Sequence, residues 1–236
     1  MAKVEFILDE KVAVVSLNDG ENRFNPEFLE AFLGVLDTIE NETEARTLVV
    51  RATDEKIFCN GIDLNWLAPF IKSGAREPIK AFLFQLNDLL KRVLLYPMPT
   101  IAAITGHAFA GGAILACAFD FRFMRTDRGF FCFPEVDLNV PFLPGMLAVI
   151  KKAVPMYKFE EMQYTGKRLT AQECEAHHIV MKAGHINDLM NEVLAFAKTL
   201  DKQRMIIREM KKRLYKDIIR TIDEEDPFYI STGKLQ

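Results

Sequence analysis

Apolar positions along the chain change period several times, and each change marks an element. Between Val4 and Leu17 the pattern alternates and then runs apolar and β-branched from Val12 onward, with Asp9, Glu10 and Lys11 between, which predicts a two-stranded hairpin. In "NPEFLEAFLGVLDTIENET" the period becomes helical. Phe28, Phe32, Leu36 and Ile39 share one face, Asn25 stands as N-cap and Pro26 fits the first turn. "ARTLVVRAT" is again a strand, buried and parallel to its neighbours because a helix intervenes. "EPIKAFLFQLNDLLKRVLLYPMP" predicts a long amphipathic helix stopped by Pro97 and Pro99, and "TIAAITGHAF" one further apolar strand. Next come a helix over "GAILACAF", a strand over "DFRFMR" and a Phe-rich strand over "GFFCFPEV".

From Lys151 onward the pattern is mostly helical, including "TAQECEAHHI" and a long segment from Asn187 to Ile222. In that segment Ile207, Met210, Leu214 and Ile218 recur at three and four, interleaved with Arg204, Arg208, Lys211, Lys212 and Lys216. The pattern predicts an apolar face that packs and a basic face that meets water; an acidic ligand or a neighbouring subunit is the other use of such a face.

Composition narrows the class. The 236 residues fit one large domain, or one with a small appendage, able to bury roughly 70–75% of the unfolded surface. With 50% hydrophobic and 27% charged residues the chain reads as globular, and a net charge of −3 gives no electrostatic case for nucleic acid. Cys59, Cys117, Cys132 and Cys174 show no metal spacing and read as reduced thiols; no metal site is expected. No basic segment precedes a long apolar one, and no run reaches the ~18 apolar residues of a membrane span. The expectation is a soluble, cytoplasmic protein. The terminal "GKLQ" lacks the S-K-L peroxisomal address, and organellar import is left open.

Three stretches could carry chemistry. Gly111-Gly112 lies between a predicted strand and a predicted helix, where uncovered backbone N–H groups and the helix N-terminus favour negative charge. The phosphate-loop templates fail there, so an oxygen that becomes negative during reaction suits it better; close helix–strand packing is the plainer use of the glycines. "KIFCNGIDL" offers Asn60-Gly61, either a hairpin turn or a tight turn exposing the Ile62 N–H; Cys59 has no neighbouring base to make it a nucleophile. Glu135 stands among Phe131, Phe133, Val136 and Leu138, where it either points to solvent from an edge strand or has a raised pKa fit for moving protons. Asp137 falls on the same strand face by period two and competes with it. His107, His177, His178 and His185 form no ligand pattern.

In order along the chain, "KIFCNGIDL", "PTIAAITGHAFAGGAILACAFD", "FPEVDLNVPFLPGM" and "YTGKRLTAQE" together resemble the crotonase (enoyl-CoA hydratase/isomerase) superfamily. The resemblance implies an α/β fold, a spiral of ββα units with two stacked, roughly perpendicular sheets flanked by helices. It implies a core over residues 1–186 with the coenzyme A thioester site, and a C-terminal helical region over 187–236 for packing and oligomerisation. It further implies an acyl-CoA or enoyl-CoA substrate, no cofactor beyond the coenzyme A of the substrate, no nucleic acid, and a homotrimer or dimer of trimers. By position the family's two oxyanion N–H donors fall on Ile62 and Gly111, beside Gly61, Gly112 and Ile114. Asn22, Arg23 and Phe24, with Asn60, Asp63 and Leu64, fall near the adenosine end of coenzyme A.

A hydratase of this family carries two catalytic glutamates, and here the first position holds Ile114 while the second keeps Glu135. A lone Glu resembles the Δ3,Δ2-enoyl-CoA isomerases, and an apolar wall of Ile114, Phe133 and Phe142 would keep water away. Thioester hydrolysis or decarboxylation using Asp137, hydration, and a non-catalytic RNA-associated relative are the alternatives. The residues around the acyl tail are expected within Ala68 to Lys80.

Overall fold

A computed structural model describes residues 2–233; Lys234, Leu235 and Gln236 of the terminal "GKLQ" lie outside the described residues. The chain opens with strands β1 (Val4–Asp9) and β2 (Val12–Leu17), helix α1 (Pro26–Glu42), strands β3 (Thr47–Ala52) and β4 (Ile57–Cys59), and helices α2 (Leu64–Ser73) and α3 (Arg76–Leu94). Strands β5 (Thr100–Ile104) and β6 (His107–Phe109) lead into α4 (Gly111–Ala118), β7 (Phe121–Arg125), β8 (Phe131–Cys132) and a single helical turn, α5 (Glu135–Leu138). Helices α6 (Pro144–Ala153), α7 (Met156–Thr165) and α8 (Ala171–Ala176), strand β9 (Lys182–Gly184), then α9 (Ile186–Lys198), α10 (Arg204–Leu214), α11 (Lys216–Arg220), a π-helical turn over Thr221–Glu225 and α12 (Asp226–Thr232) complete it.

Six strands in the order β1-β2-β3-β5-β7-β9 form one sheet and β4-β6-β8 a second. Only β1–β2 is antiparallel, as the hairpin predicts; the other pairs are parallel, joined through helical crossovers. Strand β2 is buried along its whole length. Ala13, Val15 and Leu17 face the main core, while Val12 and Val14 join a second cluster with Val49, Ile101, Phe123 and the Leu189–Val193–Ala197 stripe of α9. Burial on both faces explains its continuous apolar run.

Several elements differ from the sequence pattern. "TIAAITGHAF" is two strands in two sheets, because a Cβ at Gly106 would lie 2.3 Å from the Lys56 carbonyl oxygen; the chain crosses between sheets at that close approach. The strand expected over "GFFCFPEV" ends at Cys132, and Glu135 opens a helical turn. Strand β9 and helix α2 carry too few residues of a clean period to be seen beforehand.

The helix expected from Asn187 to Ile222 is broken at Thr199, whose hydroxyl donates to the Phe196 carbonyl at 2.7 Å. Beyond the break α10 is docked by its cations. Arg204 donates to the carbonyls of Ala45, Glu40 and Thr43, the frayed end of α1. Buried Lys211 meets Asp120 at 2.6 Å and the Met98 carbonyl at 3.0 Å. The expected faces hold only in part: Lys211 is 5% exposed, whereas Met210 is 60% and Leu214 70% exposed, while Ile207 and Ile218 are half-buried and Arg208, Lys212 and Lys216 face water as expected.

Candidate active site

The glycine corner is built from three backbone turns pressed together. Asn22 (φ +51°), Gly61 (φ +72°) and Ala110 (φ +49°) all have positive φ. Asn22 holds its turn with its own side chain, accepting from the Asp19 N–H at 2.9 Å and donating to the Phe58 carbonyl at 3.0 Å. Ala110, strained for a residue with a Cβ, turns the chain from β6 into α4. At Gly61 an added Cβ would fall 2.6 Å from the Gly111 nitrogen, and at Gly112 one would fall 2.1 Å from the Cys59 carbonyl oxygen. Glycine is therefore required at both. Asn60-Gly61 is not a hairpin turn, since β4 runs parallel to β6.

Neighbouring amides in this corner are committed. Phe24 N–H donates to Gly61 O at 2.7 Å, Asp63 N–H to Phe24 O at 2.9 Å, and Ala110 N–H to Cys132 O at 3.0 Å. The Ile62 and Gly111 amides donate to no carbonyl among the described residues, and both residues line the pocket. Gly111 is the first residue of α4, so its amide is one of the helix's unsatisfied donors.

Glu135 lines the same pocket. It is 8% exposed, and its Oε2 has no hydrogen-bond partner among the described residues. Burial pushes its pKa up to about 7. Behind it Phe133 packs edge-on against Phe142 and Phe159 at 6.0 and 5.7 Å. Ile114 and Phe142 form the expected apolar wall, while Phe133 is fully buried one layer further back. Asp137 does not share Glu135's face: two residues along a helix rotate the side chain by about 200°. It is exposed and packs beside Gly166.

The remaining predicted residues divide in two. Arg23, Asn60, Leu64 and Ile114 line the pocket with Ile62, Gly111 and Glu135. Arg23 is half-buried and paired with Glu21 at 2.5 Å. Asn22, Phe24, Gly61, Asp63 and Gly112 stand in the supporting layer. Asp63 caps α2, accepting from Asn65 and Trp66 N–H at 3.0 and 3.3 Å, and the Phe24 ring packs on Gly111. Cys59 is inert: its thiol donates to the Asn22 carbonyl at 3.0 Å and burial pushes its pKa up to about 12. Among the described residues no group of three or more His, Cys, Asp or Glu could hold a metal.

The pocket has a hydrocarbon-lined end, and its space is about 1030 Å³ counting the open mouth. Phe82, Leu83 and Leu86 of α3, Leu67 of α2, and Leu138, Leu143 and Met146 wall it. Of the expected stretch Ala68 to Lys80 only Ile79 takes part. The residues actually used belong to ordinary apolar helix stripes, which carry no mark separating pocket from core.

No helix among the described residues is long and apolar enough to cross a membrane. Residues 8–226 match the family "Enoyl-CoA hydratase/isomerase". The chain is 29% identical over 211 residues to "Enoyl-CoA delta isomerase 3" of Arabidopsis thaliana, covering 87% of this chain and 88% of that one. It is 32% identical over 206 residues to "Putative enoyl-CoA hydratase" of Thermus thermophilus, covering 86% and 79%. Among solved structures, an enoyl-CoA hydratase/isomerase family protein from Pseudomonas syringae superposes with a TM-score of 0.87 at 23% identity, covering 97% of each chain. A probable enoyl-CoA hydratase from Mycobacterium tuberculosis gives 0.88 at 21%, covering 99% and 97%. With two sheets flanked by helices and a family match over nearly its whole length, the chain belongs to the enoyl-CoA hydratase/isomerase family and has the crotonase fold.

Proposed function

We propose that this protein is a Δ3,Δ2-enoyl-CoA isomerase acting on unsaturated acyl thioesters of the kind met in fatty-acid oxidation. The observation that carries the reading is that Glu135 is the one carboxylate lining the pocket among the described residues, with hydrocarbon at Ile114, the position of the first of a hydratase's two glutamates. The Glu135 carboxylate takes a proton from C2 of a 3-enoyl thioester. The C–H electrons pass into the C1–C2 bond, and the thioester oxygen becomes the enolate oxygen, held by the Ile62 and Gly111 amides. Glu135, now protonated, returns the proton at C4 as the C3–C4 electrons take it up. The thioester carbonyl reforms, and the double bond ends at C2–C3. Each oxyanion donor contributes about 10²–10³ in rate and the positioned base roughly 10²–10⁴.

Coenzyme A lies toward Arg23, Asn60 and Leu64, while Asn22, Phe24 and Asp63, whose amides are already engaged within the protein, hold the shape of that end. Relatives named delta isomerase support the reaction, and relatives named hydratase keep the comparison open to test. Assembly as a homotrimer or dimer of trimers belongs to the same proposal, supported by the exposed stripe Ile206, Met210 and Leu214 on α10. So do a cytoplasmic location and action without a cofactor, which rest on the sequence alone.

The test is conversion of 3-hexenoyl-CoA to the conjugated 2-enoyl ester, followed by ultraviolet absorbance. Glu135→Gln is expected to lower kcat by roughly 10²–10⁴ with ester binding retained. Unchanged turnover in the variant, or hydration of 2-enoyl esters as the dominant wild-type activity, refutes the assignment.

A further inference from the structure

The C-terminal helices reach the hydrocarbon end of the pocket through one buried carboxylate. Asp226, at the head of α12, is fully buried; it accepts from the Gly145 N–H at 2.7 Å and from Asn87 Nδ2 at 2.9 Å. It forms no ion pair among the described residues, and burial raises its pKa. A buried carboxylate without a cation is costly in stability, so what it holds matters. Its two donors sit on two different walls. Asn87 follows the pocket residues Phe82, Leu83 and Leu86 on α3, and Gly145 lies between Leu143 and Met146 at the start of α6.

The seat is tight. A Cβ on Gly145 would lie 2.5 Å from Asp226 Oδ2 and 2.6 Å from Ile222 Cγ1. The π-helical turn Thr221–Glu225 stands immediately before Asp226, and Pro227 has no N–H to offer the carbonyl four residues back. Such wide turns inside helices recur at functional positions.

We propose that Asp226 is a positioning residue that sets acyl specificity: its carboxylate ties α3 to α6, fixes the width of the hydrocarbon end, and admits a slender unbranched chain in preference to a branched one. The inference rests on the reading that this end of the pocket holds the acyl tail. Asp226→Ala frees both walls. Asp226→Asn keeps an oxygen for the Gly145 N–H, and its amide can donate to Asn87 Oδ1, which has no partner in the wild type.

The experiment compares kcat/KM for 3-hexenoyl-CoA and 5-methyl-3-hexenoyl-CoA in the wild type, Asp226→Ala and Asp226→Asn. Expected is a roughly tenfold rise in the branched-to-straight ratio in Asp226→Ala, the size of effect a lost hydrogen bond to a buried charge produces, with Asp226→Asn within twofold of wild type. A ratio unchanged in Asp226→Ala, even with a lowered Tm, makes Asp226 purely structural and overturns the inference. If Asp226→Ala does not fold, Asn87→Ala cuts the α3 side alone and is judged by the same ratio. If the wild type turns over neither ester, the isomerase reading fails separately. The Kd ratio for hexanoyl-CoA and 5-methylhexanoyl-CoA then tests the tie: a shift in the variant sustains it and an unchanged ratio refutes it.

Discussion

The two sides of the pocket are made of different material. The corner formed by residues 60–62 and 110–112 presents backbone, and Gly61, Gly111 and Gly112 carry no side chain because two chain segments meet there at van der Waals distance. The wall from Glu135 to Met146 presents side chains, and much of it, from Val136 to Pro141, is exposed. Rigid, fully packed backbone can hold fixed dipoles where charge develops. A proton carrier needs only one well-placed carboxyl group on a wall that can vary. Under the proposed function the corner is tied to the fold, while the wall is tied to the reaction.

Gly61→Ala puts a methyl 2.6 Å from the Gly111 nitrogen at a φ of +72°, and strikes both amides proposed to hold the oxyanion. Its kcat/KM is expected to fall by at least about 10²–10³, and steady-state kinetics on 3-hexenoyl-CoA checks it. Chemical denaturation should show the same variant losing roughly 1–3 kcal/mol. On the other wall the sign of the stability change reverses. A Glu135 pKa of about 7, raised from 4.5, means that the folded state binds this proton more tightly than the unfolded one. The resulting cost is absent below about pH 4.5, grows through the interval, and is fully present above pH 7. Glu135→Gln is therefore expected to be more stable than the wild type at pH 8 by up to about 3 kcal/mol, with the difference vanishing toward pH 4.5. A destabilised Glu135→Gln at pH 8 would erase the contrast between corner and wall.

The same protonation sets activity in the opposite sense. Since the base must be ionised, wild-type kcat/KM is expected to rise with pH through an apparent pKa near 7 and then level. A profile flat from pH 5 to 9 would remove Glu135 as the titrating base. The smallest effect belongs to Val140→Ala on the exposed wall, where kcat/KM should stay within about fivefold and stability within about 0.5 kcal/mol. A larger loss there would show that the wall is as tightly specified as the corner.

Much of this was legible in the residues. The hairpin, the capped α1, the parallel strands and the pair Gly111-Gly112 follow from period, N-cap and small-residue signals that act over a few positions. The motifs in order pointed to the family, and Glu135 stood out as an acid among aromatic neighbours. Harder to read was anything depending on which side of an element faces inward. On α10 the three- and four-residue spacing correctly marked a helix but misplaced part of its inward face, because Lys211 finds Asp120 and the Met98 carbonyl inside the protein while Met210 and Leu214 stay exposed. Around Glu135 the alternating pattern suggested a strand; the Pro134 turn converts it to a helix, which separates Glu135 from Asp137.

Sequence alone determined most of the elements and the small set of residues that could do chemistry, since local periodicity and backbone permissiveness are written residue by residue, and the resemblance carried by the ordered motifs supplied the fold class. The tertiary structure decided which of those residues share a pocket, that Glu135 is buried without a cation, and that Asp226 reaches across from the C-terminus to hold two pocket walls. These depend on contacts between positions as much as 139 residues apart, and no local pattern encodes a distance of that kind.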